Sequence, residues 1–336
     1  MMVYSYPRSH GTSKPHPSKT GGRGKRGYLA MIIDAHSHLG DILNRGGGEL
    51  IYRKGVRMPA MMDPQALSES LMMRNLGLGK LLYYACMTQA TRAERARNST
   101  ATLENMRESL DGTDIAHTVC LPIAPHVTFK DLIGAAAHDD RIVPFTTVDF
   151  DDMSSMEESL REDVRDGARG LKLHPVIQRV SPTDERTSRV LEAFQPLGRP
   201  VLVHAGKSQY YLGDEKHRNV AAFGSIKPIA HMVRNFPGIR FVVGHAGLFW
   251  HREVRALMGG LKNVWVDTSF QSPYTIRKLI RSFGAERVMY ASDWPYGNRK
   301  PHLRTVRAAC RGDASLERMI FFENAASLLG ISASRV

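Results

Sequence analysis

From residue 31 onward, the chain alternates short, continuously apolar runs with longer amphipathic ones. Each short run is rich in Val, Ile, Leu or Phe and ends at a Gly, Pro, Asp or His, which is typical of a buried β-strand. The strands predicted in this way span residues 31–36, 116–122, 142–148, 169–174, 200–204, 240–245, 264–268 and 287–292. Helical periodicity is found between them at 154–166, 184–196, 225–236, 273–283 and 314–329.

Apolar strands that alternate with helices predict a parallel sheet that is covered on both faces. Eight such units favour a closed (β/α)8 barrel, the TIM-barrel form of the α/β class, over an open sheet. The chain also lacks a Gly-x-Gly-x-x-Gly turn after its first predicted strand, which argues against a dinucleotide-binding fold. We therefore expect one barrel domain over residues 31–336.

Residues 39–110, called the insertion below, separate the first two predicted strands and are much longer than an ordinary strand–helix connection. In a barrel they would lie above the catalytic end of the strands as a cap, where substrate is often selected. The insertion is rich in methionine, at Met58, Met61, Met62, Met72 and Met73. We expect these methionines to fill a small core of their own, and a helix near 101–110.

The formal net charge of +13 is unevenly distributed. Residues 1–30 contain six lysines and arginines and no acidic residue, so removing them leaves +7 for residues 31–336. Residues 1–30 are rich in Gly, Pro and Ser and have no apolar period, so we predict a disordered basic tail without a nucleic-acid partner. Met31 directly precedes the first predicted strand, and a native start at Met31 is a second hypothesis for this segment.

The three cysteines, at positions 86, 120 and 310, form no CxxC pair. This spacing argues against a disulfide framework and a thiolate metal site, and it favours a reducing compartment, for which we expect the cytoplasm. No apolar run reaches the about 20 residues that crossing a bilayer requires, so we expect no membrane partner.

Polar residues close four of the predicted strands. The first strand ends in Asp34-Ala-His36-Ser-His38, and residues two apart on a strand point to the same side. The fifth ends at His204, the sixth at His245 and the eighth at Asp293. Because the carboxyl ends of barrel strands gather at one face, where active sites of this fold lie, these side chains predict a metal site.

These strand ends resemble those of the amidohydrolase superfamily, specifically its amidohydrolase-related branch, which includes aminocarboxymuconate-semialdehyde and resorcylate-type decarboxylases. The resemblance covers residues 31–332 and includes the closing segment Glu323-Asn-Ala-Ala-Ser-Leu-Leu-Gly. It implies that the metal ligands are His36, His38, His204 and Asp293. It further implies that His245 activates the metal-bound water or stabilises developing charge.

The chemistry of these side chains agrees with the resemblance. Imidazole and carboxylate ligands suit Zn²⁺, which we expect first, and also Mn²⁺, Fe²⁺ or Co²⁺. Three or four such ligands leave a position for water, whose pKa zinc lowers to about 7. Asp293 could both bind the ion and accept a proton, and His245 could act as general base. These two residues are therefore the catalytic candidates.

The fourth predicted strand reads Gly170-Leu-Lys172-Leu-His174-Pro. Binuclear members of the superfamily place a carboxylated lysine or a glutamate here, whereas the Lys-Leu-His form resembles the mononuclear branch, in which these residues contact substrate. We therefore expect one metal ion, with Lys172 and His174 as substrate-binding residues. A buried cation without a direct role is the alternative for Lys172.

Further residues near these strand ends have simpler expectations. Trp294, with the following Pro295 and Tyr296, is a candidate substrate wall, although aromatic packing alone would also explain it. Asp267, at the end of the seventh strand, is expected to support a metal ligand. Asp34 is expected to pair with a neighbour below the site.

The sequence favours a metal-dependent hydrolase that acts on a small, carboxylated and therefore anionic molecule through activated water. A non-oxidative decarboxylase, a carbon–carbon lyase using the same site, is the alternative. A TatD-like nuclease ranks lower because those enzymes carry a glutamate on strand four. A catalytically dead barrel is disfavoured because no ligand is missing. By analogy with relatives, a homodimer is expected.

Overall fold

The computed structural model describes residues 31–72 and 79–332. The predicted basic tail, residues 1–30, and Met73 of the methionine-rich stretch lie outside the described residues. Within the described ranges, no helix combines the length and the apolar character that crossing a membrane would require.

Eight parallel strands form where the apolar runs predict them. They are β1 (Ile32–Ser37), β2 (Ile115–Cys120), β3 (Ile142–Pro144), β4 (Leu171–Leu173), β5 (Val201–Val203), β6 (Phe241–Val243), β7 (Val264–Asp267) and β8 (Val288–Met289). Most are shorter than predicted because the apolar runs continue past the last paired residue. The strand predictions are confirmed.

The strands follow one another around a ring. β1–β3 pair as one parallel sheet and β4–β8 as a second. Single bridges, Thr146 with Leu171 and Ser37 with Trp294, join the two sheets. Backbone hydrogen bonds cross these seams, from Lys172 N to Thr146 O at 2.8 Å and from Asp293 N to His36 O at 2.8 Å. The architecture is the predicted (β/α)8 barrel, with the metal-site candidates of β1 and β8 meeting at one seam.

Helices lie between and outside the strands. The described α-helices are α1 (Pro64–Met72), α2 (Gly79–Ala85), α3 (Met87–Asn98), α4 (Leu103–Leu110), α5 (Phe129–Ala136), α6 (Met156–Arg165), α7 (Pro175–Gln178), α8 (Glu185–Phe194), α9 (Ile226–Asn235), α10 (His251–Met258), α11 (Pro273–Phe283), α12 (Arg299–Cys310), α13 (Ala314–Arg318) and α14 (Asn324–Leu329). The predicted helices correspond to α6, α8, α9 and α11. The predicted helix at 314–329 is divided into α13, a π-helical turn and α14.

Two buried apolar clusters hold the barrel together. The smaller cluster fills the interior of the barrel. It contains alternate residues along the strands, such as Ile33, Val119, Phe145 and Leu202, together with leucines of α14. The larger cluster lies between the strands and the surrounding helices and includes Val201, Val203 and Phe241. Since successive strand residues point to opposite sides, Lys172, which pairs with Leu202, faces the interior.

The insertion forms α1–α4 and a short 3-10 helix, Gly47–Tyr52. The helix predicted near 101–110 is α4. The methionine core, however, is not formed by Met58, Met61 and Met62, because the first two are only partly buried and Met62 is 62% exposed. The buried apolar residues of the insertion are instead found elsewhere, among them Leu50, Ile51, Ala90 and Ala93.

A buried ion pair lies beneath the strand ends, as expected for Asp34. Its carboxylate contacts the Arg299 guanidinium and accepts hydrogen bonds from the Ser292 backbone N at 2.9 Å and Oγ at 2.5 Å. Arg299 also donates to Ser109 Oγ at 2.9 Å and to Thr118 Oγ1 at 3.1 Å. The pair therefore links α12 to β1, β2 and the segment that precedes Asp293.

We predict that Arg299→Met lowers the free energy of unfolding by about 3–5 kcal/mol, because it leaves the Asp34 carboxylate buried without its cation. Urea unfolding followed by circular dichroism measures this change. Arg304→Met, an exposed position on the same helix, is the control, and its effect should stay within about 0.5 kcal/mol. Equal effects of the two variants would contradict a structural role for the pair.

Candidate metal centre

Two histidines at the carboxyl end of β1, His36 within the strand and His38 just after it, are held in the same tautomer. His36 Nδ1 donates a hydrogen bond to Asp267 Oδ2 at 2.8 Å, and His38 Nδ1 donates to the Leu121 carbonyl at 2.8 Å. Burial, reinforced by the nearby Lys172 charge, holds the pKa of both rings well below the usual histidine value. Each neutral ring therefore presents the lone pair of Nε2, the arrangement found in histidines that bind metals.

These lone pairs face one carboxylate oxygen. Asp293 Oδ1 lies 3.3 Å from His36 Nε2 and 3.5 Å from His38 Nε2. It is buried and has no hydrogen-bond partner, which is costly for a carboxylate oxygen unless a cation satisfies it. Nitrogen and oxygen ligands about 2.1 Å from one ion lie roughly 3–3.5 Å apart, so this position fits a divalent metal. His36, His38 and Asp293 form a three-residue group able to hold an ion.

His204 borders this group without joining it. Its Nδ1 lies 3.2 Å from His245 Nε2, and its Nε2 lies 3.1 Å from the Gly206 carbonyl and 3.2 Å from Ser208 Oγ. Its ring stacks on His174 at a centroid distance of 4.0 Å. The structure thus brings together three of the four expected ligands, while these contacts turn the fourth toward His245.

His245 occupies a strained backbone position beside the group. Its φ of 56° lies in the left-handed region, which costs free energy for a residue other than glycine and is common at functional sites. The backbone N of His245 donates to Asp267 Oδ1 at 3.0 Å, and Gln271 Nε2 donates to its carbonyl at 2.7 Å. The ring is thereby placed with Nδ1 2.8 Å from Ser269 Oγ and 3.7 Å from Asp293 Oδ2.

Asp267 lies behind both histidines, as expected from its place at the end of the seventh strand. Its Oδ2 accepts from His36, while Oδ1 accepts from the backbone N of His245 and from the backbone N and hydroxyl of Ser269, at 3.0 and 2.6 Å. The carboxylate is fully buried. It therefore orients the metal-site candidates from below, without facing the cavity.

Both strand-four candidates face the interior. Lys172 Nζ lies 3.2 Å from His36 Nε2, and the side chain is completely buried. Burial lowers the pKa of Lys172 to about 7, although the carboxylates of Asp293 and Asp267 oppose the shift. His174 lines the cavity described next, and its Nε2 lies 3.2 Å from the Tyr210 hydroxyl.

A cavity opens between the strand ends and the insertion. The barrel contributes polar groups to its lining, namely His38, His174, His204, His245 and Asp293. The insertion contributes one wall, with Leu67, Tyr83, Cys86, Ala90 and Glu94. The lining is completed largely by apolar and aromatic residues, among them Leu248, Phe249, Phe270 and Tyr296. No lysine or arginine of the described chain belongs to this lining.

Trp294 was expected to contact substrate but does not line this cavity. Its ring packs against Arg299, whose guanidinium carbon lies 5.4 Å from the ring centroid. The backbone of the preceding residue, Asp293, is in the left-handed region with a φ of 58°. Tyr296 lines the cavity instead, and its hydroxyl donates to Asn98 Oδ1 at 2.9 Å.

Glu94 is a cavity residue that the strand-end analysis missed. It lies on α3, where Ala90, Ala93 and Arg97 also contact the rest of the molecule. These positions are spaced three and four residues apart, as on one face of a helix. The spacing could have indicated from the sequence that this face of α3 packs against the rest of the molecule, but it does not show which residues the face contacts.

The family model for amidohydrolases matches residues 33–331. The chain belongs to the amidohydrolase family. This confirms the resemblance drawn from its strand ends. No curated protein matches the chain of this amidohydrolase by sequence.

Solved structures share the fold at low sequence identity. 5-Carboxyvanillate decarboxylase from Sphingomonas paucimobilis is 16% identical, with 90% of this chain and 100% of that chain covered and a TM-score of 0.59. The 5-carboxyvanillate decarboxylase of Novosphingobium aromaticivorans, solved with manganese and 4-hydroxy-3-methoxy-5-nitrobenzoic acid, is 17% identical over 89% and 96%, with a TM-score of 0.58. A probable 2-pyrone-4,6-dicarboxylic acid hydrolase from Acinetobacter baumannii, with citric acid bound, is 13% identical over 89% and 99%, with a TM-score of 0.53.

We predict that Asp267→Asn weakens Zn²⁺ binding by about 10- to 100-fold, because the amide no longer fixes the tautomer of His36. Competition with a chromogenic chelator measures the affinity. Asp140→Asn, at an exposed position, is the control and should bind as the wild type does. Unchanged affinity in Asp267→Asn would show that this carboxylate does not support a metal ligand.

We also predict that one thiol of the folded amidohydrolase reacts rapidly with a thiol reagent. Cys86 lines the cavity, whereas Cys120 and Cys310 are buried, which raises the pKa of each to about 12. A colorimetric thiol titration should show one fast equivalent, with the other two appearing on unfolding. Cys86→Ser should abolish the fast phase, and its persistence would contradict the assignment.

Proposed function

We propose that this amidohydrolase is a metal-dependent hydrolase that acts on a small carboxylated molecule through an activated water. One divalent ion, Zn²⁺ in first place and Mn²⁺, Fe²⁺ or Co²⁺ otherwise, would be held by His36, His38 and Asp293. His204 would become the fourth ligand by exchanging its contact with His245, or those with Gly206 and Ser208, for the ion. The observation that carries the proposal is the buried, unpartnered Asp293 Oδ1, which faces two neutral Nε2 atoms. When bound, such an ion polarises a substrate oxygen and lowers the pKa of water.

Side chains of the protein would transfer the protons that the reaction requires. Asp293 projects into the cavity and can accept a proton from the attacking water and return it to the leaving group. His245 is the second catalytic candidate, because its ring lies near Asp293 and also lines the cavity. His174 is placed to contact substrate, while Lys172 Nζ lies beside His36 Nε2, on the side of the ring that faces Asp293.

Two observations support a small carboxylated substrate. The relatives described above are named for carboxylated ring compounds. The cavity itself combines a polar end with aromatic walls, at Phe249, Phe270 and Tyr296, that fit a planar ring. In this proposal the ion and the hydrogen-bond donors of the cavity, rather than lysine or arginine, meet the negative charge of the substrate.

Decarboxylation is the second candidate, and the apolar walls favour it. Leu67, Leu248 and Phe249 give part of the cavity an apolar lining, and a carboxylate that loses its hydration there is destabilised relative to carbon dioxide. The same ligands and the same proton-carrying residues would serve this reaction. The identity of the product therefore distinguishes the two.

The first test is metal content per chain, measured by elemental analysis of protein purified without chelator. We expect about one ion per wild-type chain and a loss of that ion in His36→Ala/His38→Ala, which removes two nitrogen ligands. His217→Ala/His231→Ala, two exposed histidines, is the matched control and should keep the ion. No metal after reconstitution with zinc or manganese would refute the proposal, and two ions would indicate a bridging role for Lys172.

The loaded enzyme is then offered carboxylated lactones and carboxylated phenols. Ring opening without gas release supports the hydrolase, whereas release of carbon dioxide supports the alternative. In either case His245→Asn should lower kcat by at least about 100-fold, since a lost general acid–base group costs that much. An unimpaired His245→Asn would remove this residue from the mechanism.

A further inference from the structure

Glu94 brings a carboxyl group to the cavity wall formed by the insertion. It lies on α3 and lines the cavity that also contains His174, His245 and Asp293. Its Oε2 is buried and has no hydrogen-bond partner. A buried polar atom left without a partner lowers stability by about 1–3 kcal/mol, so its presence requires an explanation.

The guanidinium of Arg97, the cation that interacts with Glu94, already donates hydrogen bonds to other groups. Arg97 donates to Asp63 Oδ2 from Nε at 3.0 Å and from Nη2 at 2.6 Å, and its Nη1 donates to the Tyr296 carbonyl at 3.0 Å. Glu69, 3.9 Å from Arg97, accepts two hydrogen bonds from Asn298, at 2.7 and 2.6 Å. Of the three carboxyl groups that interact with this guanidinium, Asp63 is the one that accepts its hydrogen bonds, while Glu69 is bonded to Asn298 and Glu94 interacts with Arg97 only electrostatically.

A third negative charge beside one cation is unfavourable, which favours the protonated form of Glu94. Burial raises the pKa of Glu94 to about 8, more than Arg97 lowers it, and Asp63 adds to the rise. At neutral pH the group is therefore a carboxylic acid, which donates a hydrogen bond as a carboxylate cannot.

We propose that Glu94 is a specificity-determining residue whose carboxyl group donates a hydrogen bond to an oxygen acceptor of the substrate. This inference rests on the proposed function, because it deepens the choice of a carboxylated substrate. The non-reacting carboxylate of the substrate would contact Glu94 on the insertion wall while its reacting end lies at the barrel histidines. A cavity lining without lysine or arginine recognises an anion in this way with a neutral donor.

The probe is 4-hydroxy-3-methoxy-5-nitrobenzoic acid, the coloured ligand of the Novosphingobium relative, titrated into the metal-loaded protein. Glu94→Leu should raise the Kd of the probe about 10- to 100-fold, because a charge-assisted hydrogen bond is lost. Glu94→Gln, whose amide still donates, should stay within about threefold of the wild type. Glu158→Leu, an exposed position on α6, is the matched control and should leave the Kd unchanged.

A second measurement separates this role from a structural one. Glu94→Leu should raise the thermal midpoint of unfolding by at least about 1 °C, since it removes a buried unpartnered oxygen without leaving a cavity. A merely structural glutamate would instead lower the midpoint. A raised midpoint together with weaker probe binding is the expected pair of results.

The pH dependence of probe binding gives a third measurement. The wild-type Kd should rise between pH 7 and 9 as Glu94 ionises and repels the probe, and Glu94→Gln should lack that rise. The other titratable or charged groups that interact with Glu94 remain in Glu94→Gln; they are Asp63, Arg97, Tyr83, Tyr210, Tyr296 and Asp293, with Glu69 beyond Arg97.

Wild-type binding in Glu94→Leu, or failure of the wild type to bind the probe, would overturn the inference. Neither result affects the metal content of the wild type and of the His36→Ala/His38→Ala variant, which decides the proposed function separately. If the protein binds a single ion but Glu94→Leu binds the probe as the wild type does, the proposed function stands and this inference is wrong.

Discussion

The Asp267 carboxylate is the interaction on which the site depends. One oxygen fixes the tautomer of His36, and the other holds the backbone N of His245 in a strained conformation. The carboxylate also receives the Ser269 hydroxyl, whose oxygen in turn lies beside the His245 ring. Because Asp267 is completely buried at the end of a central strand, it cannot be hydrated, and every neighbour must supply a donor. A single strand terminus thereby orients side chains from two other strands.

The barrel and the insertion contribute different groups to the cavity. The strand ends hold the histidines and Asp293 in fixed positions, because parallel strands cannot shift without breaking the hydrogen bonds between them. The insertion adds apolar residues and the Glu94 carboxyl, and within it Arg97 forms an ion pair with Asp63. Substrate preference can therefore change through α1–α3 while the proposed metal centre stays intact.

The strand periodicity predicted the fold well, since buried parallel strands are apolar throughout and eight of them alternate with helices. It also placed His36, His38, His245 and Asp293 together, because strand order determines which ends meet. It could not orient individual rings, so the contacts that turn His204 aside were not foreseen. Trp294 packs against Arg299 of α12, and Glu94 reaches the cavity through packing between segments that are distant in the chain. A local pattern carries neither kind of information.

The seam between β1 and β8 has a consequence for biosynthesis. The His-x-His pair leaves the ribosome among the first described residues, whereas Asp293 arrives near the end of the chain. Their side chains meet only when the last strand docks against the first, through the hydrogen bond from Asp293 N to His36 O. A chain that ends before Asp293 therefore offers the His-x-His pair without the carboxylate that faces it in the folded barrel. If the proposed metal centre is correct, capture of the ion is a late event of maturation, and loading reports that the last strand has docked against the first.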